Sequence, residues 1–154
     1  MRSLARLTAV PPLLALTAAA LLATACGKDS PTSPSSTTTT TTTTVADPSI
    51  SETFAGSLPV SGARFYAFEV TAYGTVNVTL NSVGGGAVPT TVWIGVGLGV
   101  PDGTDCSTTT SLNTQSGSGP HVSSTLAAGT YCARVYDIGN LASPAAFSVT
   151  IAHP

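Results

Sequence analysis

From Ile50 to Pro154 apolar and polar residues alternate with a period of two, which is what antiparallel strands with one buried face require. The clearest run is Ser124–Asn140, STLAAGTYCARVYDIGN. Here Tyr131, Ala133 and Val135 point one way, Cys132, Arg134 and Tyr136 the other, and Asp137-Ile138-Gly139-Asn140 supplies turn residues that tolerate positive φ. Upstream, Ser51–Leu58 predicts a short first strand, and Pro59-Val60-Ser61-Gly62 a turn. Ala63–Thr71 follows with Tyr66, Phe68 and Val70 opposite Phe65, Ala67 and Glu69. Thr75–Ser82 sets Val76, Val78 and Leu80 against Asn77 and Thr79, and Thr90–Gly99 puts Val92, Ile94, Val96 and Leu98 on one face. Pro101–Gly119 reads as the longest irregular stretch, with room for a short strand near Ser107–Leu112. His121–Leu126 is brief, and Ala145–Ala152 is the last strand, with Phe147, Val149 and Ile151 inward. Such a series predicts an all-β fold, an antiparallel β-sandwich of 7–8 strands over 50–154, with a closed barrel as the alternative.

The first 49 residues follow other rules. Residues 1–25 have the form of an export signal: Arg2 and Arg6, then the apolar run Leu13–Leu22, too short to span a bilayer comfortably. Leu22-Ala23-Thr24-Ala25-Cys26 resembles the lipobox of bacterial lipoproteins, although Ala23 stands where Leu is commonest. That resemblance implies a diacylglyceryl group on Cys26, cleavage before it, and a chain held on the bacterial cell envelope, on the periplasmic or the outer side. An ordinary cleavage site at Ala23-Thr24-Ala25 is the simpler alternative. Residues 26–49 then read as a disordered tether, with Pro31, Pro34, Pro48 and the unbroken run Thr37–Thr44. No apolar face exists there to offset the entropy of ordering. As a random coil it spans about 27 Å, enough to clear a lipid headgroup layer.

Composition narrows the function. Charged residues make up 8% of the chain, against the usual ~25%. From Cys26 onward Lys28, Arg64 and Arg134 face seven acids. That balance excludes a nucleic-acid partner, which demands a basic patch, and offers no polybasic attraction to lipid. The membrane is reached through the N-terminal lipid alone.

Several of these strands together resemble the bacterial pre-peptidase C-terminal domain. The residues that carry the likeness are Tyr66, Phe68 and Val70, then Val76, Val78 and Leu80, then Gly129-Thr130-Tyr131 running into Arg134-Val135-Tyr136, and finally Phe147, Val149 and Ile151. The resemblance covers about Ser51–Ile151 and implies a jelly-roll-like sandwich without catalysis. Family members often carry alternating aspartates on a middle strand, some beside a calcium site. Here that strand reads Thr91-Val92-Trp93-Ile94-Gly95-Val96 and holds no acid, so no calcium site is carried over.

Little in the sequence suggests other chemistry. With Cys26 assigned to lipid, Cys106 and Cys132 are expected to pair in an oxidising compartment, two buried thiols being the alternative. His121 and His153 are too few for a metal site and are expected to be exposed, His153 in a frayed end. Ser118, His121 and Asp137 make at best a chance triad. Asp102 and Asp105 lie in a turn where Asp is common, with too few acids nearby for firm calcium binding. No cofactor is implied. Trp93 alternates away from the apolar face, beside Gly95, Gly97 and Gly99, and those glycines are expected to leave a flat strip on which a sugar ring or a protein could rest. The competing expectation is that Pro101–Gly119 folds over the strip and buries Trp93. Two functions follow: a tethered binding module for glycan, matrix or protein, or a structural envelope component with no ligand.

Overall fold

The period of two becomes eight strands in the computed structural model, which describes residues 42–154. They are β1 (Ile50–Leu58), β2 (Ala63–Val70), β3 (Gly74–Gly84), β4 (Ile94–Asp102), β5 (Asp105–Thr114), β6 (Val122–Leu126), β7 (Gly129–Tyr136) and β8 (Ala145–His153). One sheet has the order β1-β8-β3-β6 and the other β2-β7-β4-β5, all antiparallel. The pairs are nested, β4 with β5, β3 with β6, β2 with β7 and β1 with β8, alternately in one sheet and the other. This is the winding of a jelly roll. No strand pairing joins the two sheets among the described residues, so the fold is a sandwich and not a barrel.

The apolar faces meet as the alternation predicts. Val76, Val78, Leu80, Phe147, Val149 and Ile151 from one sheet pack against Phe68, Val70, Ile94, Val96, Leu98, Ala133 and Val135 from the other, all nearly or fully removed from water. Phe54 and Tyr66 stack at 4.4 Å between β1 and β2, one in each sheet.

The structure departs from the sequence reading in several places along the chain. Pro101–Gly119 is not mainly irregular: β5 occupies ten residues of it and pairs along the whole of β4. Its run of threonines has strong β propensity, but as an edge strand it is polar on both faces and shows no alternation. β4 begins at Ile94, later than Thr90, because Pro89 accepts from the Val92 N–H in a turn. His153 is not frayed but 2% exposed, ring to ring with Phe68 at 5.2 Å, its Nε2 3.3 Å from Glu52 Oε1. The folded unit also reaches back past residue 50. Ala46 bridges Gly74, with its N–H 3.0 Å from the Tyr73 carbonyl, and Ser49 donates to the His153 carbonyl at 3.0 Å. The expected signal segment 1–25, Cys26 and the tether up to residue 41 lie outside the described residues.

Candidate functional site

The outer face of the β2-β7-β4-β5 sheet carries the side chains singled out above. Register aligns them: Gly95 lies opposite Tyr136, Gly97 opposite Arg134 and Gly99 opposite Cys132, while Phe65 lies opposite Arg134 on the other side of β7. A strand of glycines thus runs beside Tyr136 and Arg134, and the Tyr136 ring lies over the first of the glycines.

The glycines are therefore not an open strip. Gly95 and Gly97 are buried. A Cβ on Gly95 would run into the Tyr136 ring, and one on Gly97 would approach Thr108 Cγ2 to 2.6 Å. Gly99 meets the Ser107 backbone where β5 bulges. Gly95 seats an aromatic from the neighbouring strand, a cross-strand pairing that restores to a glycine the packing it lacks.

Trp93 stands just before β4 and is 50% exposed. No loop folds over it, because the segment expected to do so is β5. Its neighbours Val92 and Ile94 are anchored in the core. Its carbonyl accepts from Asn140 Nδ2 at 3.2 Å, and the Thr91 carbonyl accepts from Gln115 Nε2. The indole is thus presented from a backbone held on both sides. The Tyr136 ring lies over Gly95, and the Arg134 guanidinium sits 5.5 Å from the centre of that ring. Tyr136 and Arg134 thus pack together on this face, and Trp93 lies two residues before the glycine that seats Tyr136.

Beside Arg134 the face dips into a cavity of about 380 Å³, lined by Ala63, Arg64, Phe65, Thr104, Asp105 and Arg134. Its wall on one side is the tip of the β4–β5 hairpin. The Cys106–Cys132 disulfide holds that tip over β7, with 6.0 Å between the Cα atoms. The expected pairing of these two cysteines is therefore present. Asp105 Oδ1 accepts from the Cys106 N–H at 2.8 Å, and Oδ2 lies 3.6 Å from Arg134 Nη2.

The remaining candidates serve the backbone. Partial desolvation pushes the Asp137 carboxyl up, but N–H donors from Ser61, Asn140, Gly139 and Leu141 outweigh it and hold the group below its ordinary 3.8. Both oxygens are engaged, Oδ2 by Ser61 at 2.8 Å and Oδ1 by Gly139 and Asn140 at 2.9 Å. His121 is half-buried, not exposed: its Nδ1 accepts from the Leu80 N–H at 3.0 Å, while the Gly117 N–H donates to the Leu80 carbonyl at 2.9 Å. Together they cap β3 beyond the end of β6. Ser118, His121 and Asp137 are thus not assembled as a triad. Among the described residues no group of three or more His, Cys, Asp or Glu stands together to hold a metal.

Sequence reasoning found the cysteine pair and singled out Trp93, which the structure leaves half exposed. It missed Tyr136, Arg64 and the cavity. The signal for Tyr136 was its own alternation, on the face of Cys132 and Arg134; the signal for the cavity was that Arg64 and Arg134 are the only basic residues after Lys28. Compared with known proteins, the sequence matches no protein-family model, and no curated protein matches it.

Proposed function

We propose that this chain is a lipid-anchored, exported binding module, without catalysis of its own, that holds a glycan on the outer face of the β2-β7-β4-β5 sheet. One observation carries the reading: Trp93 presents half its surface to water from a backbone held by Asn140. An exposed aromatic on a held backbone stacks on a sugar ring with little loss of side-chain entropy. The resemblance to the pre-peptidase C-terminal domain points the same way, since it implies a non-catalytic accessory module.

The test is Trp93→Ala in the full chain, measured for binding to a panel of soluble and insoluble polysaccharides and for denaturant stability. Binding should be lost while stability changes by less than about 1 kcal/mol, as for a side chain outside the core. A variant that binds as the parent does refutes the reading in favour of a structural envelope component. A loss of ~3–5 kcal/mol would show that Trp93 is a packing residue.

A further inference from the structure

Arg64 and Arg134 are the only lysine or arginine residues among the described residues, and both line the same cavity. The rest of the described charge is acidic: Asp47, Glu52, Glu69, Asp102, Asp105 and Asp137. A surface that is negative elsewhere thus gathers its positive charge at one concave spot.

The two arginines are not equivalent. Arg134 is 29% exposed, lies over Tyr136 and faces Asp105, so its charge is largely matched. Its Nε is buried with no hydrogen-bond partner, so its donors are not all satisfied within the protein. Arg64 has no acidic partner among the described residues. At the free edge of β2 its Nη1 donates to the Ala63 carbonyl at 2.9 Å, which leaves its other donors open. A guanidinium with parallel free N–H groups fits a carboxylate in a two-point contact.

The rest of the lining suits the remainder of such a ligand. Phe65 offers an apolar face. Asp105 keeps acceptor capacity for hydroxyl donors, and Thr104 adds a hydroxyl. A volume of about 380 Å³ lies within the usual ~300–1,000 Å³ of small-molecule sites. We propose that the cavity is a subsite for a carboxylate-bearing sugar, a uronic acid unit of an acidic polysaccharide, with Arg64 holding the carboxylate and the Arg134–Asp105 pair holding ring hydroxyls. This rests on the glycan reading above and names its ligand class. Neighbouring units of the chain then run along Tyr136 to Trp93.

The test is calorimetric titration of the full chain, in mild detergent, with oligogalacturonate and with the same oligosaccharide after reduction of its carboxyl groups. Oligogalacturonate should bind, more weakly as salt is raised, and the reduced oligosaccharide should bind markedly less. Arg64→Gln should weaken binding of the acidic form by about ten- to a hundredfold, as for loss of a hydrogen-bonded charge, with an unchanged melting curve. Arg64→Lys should retain part of the affinity. Equal binding of acidic and reduced forms, or an Arg64→Gln variant that binds oligogalacturonate as the parent does, overturns the subsite. If binding in those cases still disappears in Trp93→Ala, the glycan reading stands without the uronate. No binding of oligogalacturonate at all also overturns the subsite, and the polysaccharide panel then judges the wider reading alone.

Discussion

Asp137 shows how much one side chain can hold. Its carboxylate ties the β1–β2 turn to the β7–β8 loop, accepting from Ser61, which sits at φ 54°, and from the N–H groups of the loop. The position in an Asp-x-Gly-Asn sequence announced a turn, but not a bond to a residue 76 positions earlier. That partner exists only once β2 and β7 lie side by side. Because the folded carboxyl titrates below 3.8, the stability it adds is complete above its unfolded value and is lost as pH falls through the lower folded value. Asp137→Ala should lower stability at neutral pH by about 1 kcal/mol, the order expected when largely exposed N–H donors exchange a charged acceptor for water. The gap between parent and variant in urea midpoint should close as the pH drops below about 4. A gap that stays constant would show that the negative charge is not what matters. His153 taught the opposite lesson: nothing in a penultimate position announces burial, and only its place in β8 opposite Ile50 supplies it.

Strands were legible wherever one face is buried, because burial imposes the alternation. Ala63–Thr71, Thr75–Ser82 and Ala145–Ala152 were read almost to the residue. β5 was not, since an edge strand rich in Thr and Ser has no apolar side to mark. For the same reason the glycines of β4 were noticed and their purpose was not: what rests on them is set by the register of β4 against β7. That purpose can be measured. Gly95→Ala should destabilise by about 1–3 kcal/mol, the usual range for an added methyl in a filled space, because it displaces the Tyr136 ring. Made in a Tyr136→Ala background the same change should cost almost nothing, so a double-mutant cycle reads the coupling directly. Additive effects would mean that the clash is with something else. The packing of Arg134 on Tyr136 depends on this seating, so Gly95→Ala should also weaken any ligand that lies along that pair.

At the scale of the whole molecule, the proposed function assigns the address to a lipid on Cys26 and recognition to the sandwich. The anchor has its own test. Cys26→Ser should move the protein from the membrane fraction to the soluble exported fraction and remove the acyl mass from its N-terminus. A variant that stays membrane-bound with that mass intact would refute it. The nested pairing of strands bears on when such a chain can fold. A ribosome, like an export channel, delivers the N-terminus first, yet β1 waits for β8, and β8 also joins β1 to β3. Only the β4–β5 hairpin is complete early. Each wider pair must wait for a strand nearer the end of the chain, and long-range pairings of this kind form slowly. The sandwich is thus assembled from its middle outward and finished by its last nine residues but one, Ala145–His153. Until they emerge, β1 has no neighbour in its sheet, so the winding of the strands itself acts as a timer that holds the sandwich open until β8 is delivered.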